Sequence, residues 1–172
     1  MQRVLVMGCS GSGKTTFARA LAGKLAVPFV SIDRLFWQPG WRAPKMEDFT
    51  AIMTKQAEQP AWVMDGNYIR YGAGDLRRAR AQAIIWFDLP RRLCLMGALR
   101  RIVTTYGSVR AEMAPGCPER FDWEFLNYIW TYRAEQRSKL LTYFAARCAD
   151  QPLITFTTRT QAAEYLAAAG TA

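Results

Sequence analysis

Gly8-Cys9-Ser10-Gly11-Ser12-Gly13-Lys14-Thr15 decides the fold. It fits the pattern G-x-x-x-x-G-K-[ST] at every fixed position. The apolar run 4–7 before it reads as a buried strand, and 15–25 after it reads as a helix. In that setting Gly11 and Gly13 let the backbone wrap an anion with no Cβ in the way. The backbone N–H groups and the helix N-terminus then face the anion. The loop is therefore expected to cradle ATP through Gly8, Cys9, Ser10, Gly11, Ser12, Gly13, Lys14, Thr15 and Thr16. Lys14 reaches the β- and γ-phosphates, and Thr15 offers its hydroxyl to Mg²⁺.

Outward from the loop, four more short apolar runs lie at 29–32, 62–64, 84–87 and 153–156. They are nearly continuous rather than alternating, as strands covered on both faces are. Helical stretches follow or separate them at 45–58, 93–104, 123–146 and 161–169, with Pro44 ahead of the first as a starter. Strand alternating with helix predicts an α/β fold with a five-stranded parallel sheet in a single domain, 1–172. Two segments break the rhythm, 34–44 and 106–121, each longer than the usual connections of about 2–6 residues. The first, with the helix after it, is expected to form a substrate clamp over 34–60. The second is expected to form a lid.

Composition narrows the chemistry. The chain of 172 residues is 51% hydrophobic with a net charge of +9, a globular rather than a disordered balance. No apolar run approaches the roughly 20 residues of a spanning helix. The opening residues enter a strand directly and leave no signal peptide, so a cytoplasmic location is expected. Cys9, Cys94, Cys117 and Cys148 are scattered, as free thiols are. With no histidine, general catalysis falls to carboxylates, Lys, Arg and bound metal. The arginine-rich charge fits a polyanionic ligand, either a nucleotide or nucleic acid, or else a merely basic surface.

Trp62-Val63-Met64-Asp65-Gly66 is an apolar run ending in an acid. It would deliver Asp65 to the crevice of the phosphate loop, to hold Mg²⁺ directly or through water. Val30-Ser31-Ile32-Asp33 also ends in an acid. Asp33 either takes a proton from a substrate hydroxyl or assists the metal, or it caps the turn that follows. Trp37 and Trp41 lie in a Pro/Gly-containing loop and either wall a planar substrate or anchor the loop. On a wheel of 100° per residue the apolar stripe of the long helix runs through Leu126, Trp130, Leu140, Leu141 and Phe144. Arg133 and Arg137 fall within it. Unpaired cations there are costly in a core and tolerable where the helix lines a phosphate cleft. Alternatively, Arg133 snorkels or pairs with Glu124 or Glu135.

The pattern resembles the adenylate-kinase-like branch of P-loop kinases over nearly the whole chain. Residues 8–15 resemble its phosphate loop and Asp65-Gly66 the Asp-Gly closing its third strand. Phe87-Asp88-Leu89-Pro90 and the helix reaching Arg101 resemble the segment where an arginine contacts the donor phosphates. Three runs are similar to the small proteins known as DNA topology modulation proteins or adenylate-kinase-related ATPases. They are Gln38-Pro39-Gly40-Trp41, Trp62-Val63-Met64-Asp65-Gly66-Asn67-Tyr68 and Met113-Ala114-Pro115-Gly116-Cys117-Pro118-Glu119-Arg120. Two positions depart from adenylate kinases. Asn67-Tyr68-Ile69-Arg70 stands where Phe-Pro-Arg is typical, and Gly97 where an arginine usually covers adenine.

The resemblance implies transfer of the ATP γ-phosphoryl to a small acceptor, a nucleotide or related metabolite. Lys14, Asp33, Arg101, Arg133 and Arg137 are the catalytic candidates, with Thr15 and Asp65 on the metal. The rivals are a nucleotide-dependent DNA-binding regulator, for which no nucleic-acid-binding motif is present, and an ATPase needing no acceptor.

Overall fold

The computed structural model describes residues 1–169, so the last three residues of the expected 1–172 domain lie outside it. Five strands, β1 (Arg3–Gly8), β2 (Phe29–Ser31), β3 (Trp62–Asp65), β4 (Ala83–Phe87) and β5 (Leu153–Phe156), form one sheet. Their order is β2-β3-β1-β4-β5, with every neighbouring pair parallel. The helices are α1 (Lys14–Leu25), α2 (Ile32–Phe36), α3 (Met46–Glu58), α4 (Gly74–Arg80), α5 (Arg91–Thr105), α6 (Trp123–Ala145) and α7 (Arg159–Ala168). Val4, Leu5, Val6 and Met7 of β1 and Trp62, Val63 and Met64 of β3 are fully buried, so the continuous apolar runs are covered on both faces. Each large apolar side chain so buried stabilises by about 1.5–3 kcal/mol, which fixes the sheet that carries the loops.

Register aligns the carboxyl ends of the strands. Val6 pairs with Asp65, Ser31 with Asp65, and Gly8 with Phe87. The loop after β1, Asp65, Asp33 and Asp88 therefore leave one edge of the sheet. Strand order reverses around β1 there, the usual place for a ligand crevice.

Three local differences from the sequence reading have clear causes. β2 stops at Ser31 because its Oγ accepts the Arg34 N–H at 3.3 Å and caps α2. Asp33 therefore stands in the first turn of a helix, not at a strand end, and Ser31 is the cap. Helix α4 was not legible because its seven residues bury little besides Gly74 and Arg77. The buried stripe of α6 runs through Leu126, Ile129, Tyr132, Leu140, Tyr143 and Phe144, while Trp130 and Leu141 are each 39% exposed. Tyrosine rings go inward because their hydroxyls find partners: Tyr132 accepts from Asn67 Nδ2 at 2.9 Å and Tyr143 donates to the Gly74 carbonyl at 2.7 Å. That turns the helix away from the expected stripe and corrects the premise of two cations within it.

The two long insertions meet. Gly40 N–H donates to the Gly116 carbonyl at 2.9 Å, Trp41 Nε1 to the Pro118 carbonyl at 3.2 Å, and Arg34 to the Ala111 carbonyl at 2.8 Å. Trp37 and Trp41 pack on buried Met113, Ala114 and Cys117 in a small apolar cluster of their own. Segments 34–44 and 106–121 thus form one roof.

Candidate active site

Positive φ angles at Gly8 (148°), Gly11 (77°) and Gly13 (97°) shape the loop between β1 and α1. Room for the phosphate is only part of the reason for glycine. A Cβ on Gly11 would lie 2.0 Å from the Cys94 carbonyl oxygen, and one on Gly8 would lie 2.7 Å from the Phe87 carbonyl oxygen. Helix α5 therefore rests on the loop backbone. Gly97 is its counterpart, since a Cβ there would lie 2.1 Å from the Gly11 carbonyl oxygen. No longer residue fits at 97, which accounts for the missing arginine. Arg159 at the start of α7 occupies the adjoining space, with Nη2 donating to the carbonyls of Gly11 at 2.8 Å and Leu93 at 3.1 Å.

Below the loop, Thr15 Oγ1 donates to Asp65 Oδ2 at 2.5 Å, and Lys14 Nζ lies 4.0 Å from Asp65 Oδ1. Asp65 is 3% exposed, and among the described residues neither its Oδ1 nor the buried Ser12 hydroxyl has a hydrogen-bond partner. Burial pushes the Asp65 carboxyl above its ordinary range, against the pull of Lys14 and the Thr15 hydroxyl. A buried carboxylate oxygen without a donor, beside a threonine hydroxyl, fits a hard cation such as Mg²⁺. Among the described residues no group of three or more His, Cys, Asp or Glu is placed to hold a metal, so such a cation would draw on phosphate and water for its other ligands.

The segment after β3 ties the loop to the rest of the crevice. Asn67 Oδ1 accepts the Gly8 N–H at 2.9 Å and its Nδ2 donates to the Gly8 carbonyl at 3.1 Å. Tyr68 donates its hydroxyl to Asp33 Oδ1 at 2.9 Å. Burial, with Asp33 alongside, pushes the Tyr68 hydroxyl well above its usual range, so it stays a donor. Arg77 is wholly buried and holds this segment by its carbonyls, with Nε on Gly72 at 3.0 Å and Nη2 on Tyr68 at 2.8 Å.

Between the loop and the roof lies a cavity of about 590 Å³. Lys14, Asp33, Trp37, Trp41, Tyr68 and Arg101 line it, joined by Arg110 and Glu119 from the roof. The tryptophan rings anchor the roof and also line the cavity. Glu119, 5% exposed, takes Arg101 Nη2 on one oxygen at 3.0 Å and Arg110 Nε on the other at 2.9 Å. Burial and the nearby Arg110 push the Arg101 guanidinium below its usual value.

Arg133 and Arg137 lie elsewhere. Both engage Asp88, Arg133 Nε at 3.4 Å and Arg137 Nε at 3.0 Å, with side chains 49% and 41% exposed. Neither lines the cavity. Asn67, Tyr68, Arg77, Arg110, Glu119 and Arg159 were not singled out from sequence as site residues. Asn67 and Tyr68 showed there only as departures from a family pattern, Glu119 lay within a quoted run, and nothing local marks Arg77 or Arg159.

A protein-family model described as "ATPase family associated with various cellular activities (AAA)" matches residues 4–88. No curated protein matches the chain. Among solved structures, shikimate kinase from Acinetobacter baumannii in complex with shikimate is similar, with TM-score 0.58 and 17% identity over 96% of this chain and 91% of that one. Shikimate kinase from Bacteroides thetaiotaomicron gives TM-score 0.58 and 19% identity over 97% and 95%. A gluconokinase from Sinorhizobium meliloti 1021 gives TM-score 0.54 and 17% identity over 98% and 89%. At these identities the likeness is one of fold: an α/β P-loop fold of kinase type. The names of these matches do not include a role in DNA topology.

Proposed function

We propose that this protein is an ATP-dependent phosphotransferase acting on a hydroxyl of a small molecule. One observation carries the reading. The phosphate loop, with Lys14 and Thr15 beside Asp65, shares one cavity with Asp33, whose carboxylate accepts the Tyr68 hydroxyl. The kinase names of the similar structures support the same class of reaction.

In this reading Lys14 and the loop amides hold the donor phosphates. Thr15 and Asp65 would hold Mg²⁺, which when bound neutralises phosphate charge. The acceptor hydroxyl oxygen forms a bond to the γ-phosphorus as the bond from that phosphorus to the bridging β–γ oxygen breaks and ADP leaves. The hydroxyl proton passes to Asp33. Arg101, on the cavity wall, steadies the moving phosphoryl group. Positioning and fixed charge supply most of the catalysis in such reactions.

The test is acceptor-dependent ADP formation across a panel of small alcohols, with Lys14→Ala as the control. Acceptor-dependent turnover that vanishes in Lys14→Ala is expected. ADP released at one constant rate whatever the acceptor would make the protein an ATPase instead.

A further inference from the structure

We propose that the phosphoryl acceptor is an uncharged alcohol with an apolar or planar face, and that the site selects against acceptors bearing a phosphate or a carboxylate. The inference deepens the phosphotransferase reading and rests on it.

It follows from the charges that face the cavity. On the acceptor side three guanidinium groups, Arg101, Arg110 and Arg120, stand with four carboxylates, Asp33, Glu119, Asp122 and Glu124. None of the three cations is free. Arg101 and Arg110 share the two oxygens of Glu119, and Arg120 pairs with Asp122 at 3.2 Å. One carboxylate between two guanidinium groups leaves one positive charge over. Asp33 lines the same cavity and balances it in the count of charges. Among the described residues Glu124 forms no ion pair, and with it the acceptor side carries surplus negative charge. The remaining cation of the lining, Lys14, belongs to the loop and the donor.

A second anion would therefore meet like charge, or would have to break a formed ion pair to find a partner. Either effect discriminates against it. When ATP is bound, a guanidinium drawn to the γ-phosphoryl leaves still less positive charge for the acceptor.

The other walls say what fits instead. Trp37 follows Asp33 by one helical turn and packs edge-to-face with Trp41 at 5.5 Å. Phe125 and Tyr128 of α6 also line the cavity. A hydroxyl held at Asp33 thus has aromatic surface beside it for an apolar face.

The experiment uses matched pairs differing by one anionic group: adenosine with AMP, methyl shikimate with shikimate, and glucose with glucose 6-phosphate. Each is titrated calorimetrically into the protein with Mg²⁺ and a non-hydrolysable ATP analogue, then assayed with Mg²⁺·ATP for ADP formation. In the pairs that bind, the uncharged member should bind at least tenfold tighter and carry the turnover. The double variant Asp122→Asn/Glu124→Gln keeps the side-chain cap of α6 and should shrink that ratio at least threefold, with its fold checked by thermal melting. An anionic member binding as tightly as its neutral partner overturns the inference, and so does a panel in which nothing binds. Titration of Mg²⁺·ATP separates the two levels. ATP binding that depends on Lys14, together with turnover of an anion, removes only the inference. Absence of ATP binding in the wild-type protein removes the phosphotransferase reading itself.

Discussion

Gly97 and Gly11 meet backbone to backbone, close enough that a Cβ on Gly97 would lie 2.1 Å from the Gly11 carbonyl oxygen and 2.6 Å from Arg159 Nη2. Helix α5 is thus a buttress of the phosphate loop. Gly97→Ala must push the helix and the loop apart. Overpacking of this kind costs about 1–3 kcal/mol, or roughly 2–4 °C of Tm per kcal/mol in a chain of this size. Its affinity for Mg²⁺·ATP should fall as well, because the displaced backbone is the phosphate cradle. A variant with wild-type Tm and ATP affinity would show that the contact relaxes freely.

Asp65→Asn should weaken the Mg²⁺ dependence of ATP binding more than Asp33→Asn does, since only Asp65 touches Thr15 and approaches Lys14. It should also act on stability in a pH-dependent way. A carboxyl whose folded pKa is raised contributes stability that is present below its unfolded pKa and lost as pH rises through the folded one. Burial raises the Asp65 value. Metal-free Asp65→Asn should therefore gain on the wild-type protein in Tm as pH rises from acid toward neutral. Melts of both proteins across that range check the sign, and a gap that widens against the variant refutes it.

Tyr68→Phe removes the hydrogen bond from the Tyr68 hydroxyl that orients Asp33. A bond to a charged group contributes about 1.5–3 kcal/mol, and about 1.4 kcal/mol is a factor of ten in rate. Turnover should fall roughly tenfold or more, with the affinity for ATP unchanged because the lost hydroxyl bonds Asp33 and not the loop. Equal losses in kcat and in ATP affinity would mean that the ring, rather than the hydroxyl, supports the site.

Arg133 and Arg137 share Asp88. Either one alone leaves the other in place, and both are about half exposed, so each single alanine variant should cost about 0–1 kcal/mol. The double variant leaves a nearly buried carboxylate without a cation and should lose more than the two singles together. Thermal melts of the three variants measure this. Steady-state kinetics on the same proteins should show little change in the KM for ATP. A large fall in kcat with an unchanged Tm would place the guanidinium groups at the phosphates instead.

The sequence by itself determined the sheet and the loop at its centre. Continuous apolar runs such as those around Val4 and Ile84 can be satisfied only by burial on both faces, and eight consecutive residues with fixed glycine spacing specify an anion cradle. Those are local properties, with their period and spacing written along the chain. Asp65 was legible for the same reason, as an acid closing an apolar run. Tertiary structure alone decided which side chains meet across distance. Arg101 and Arg110 converge on Glu119 because the 106–121 segment folds back over α5. Arg133 and Arg137 find Asp88 because buried tyrosines set the rotation of α6. Gly97 is glycine because another backbone lies against it. Pairings of that kind depend on three-dimensional proximity between residues far apart in the chain, and a charge carries no mark in the sequence of the partner that will neutralise it.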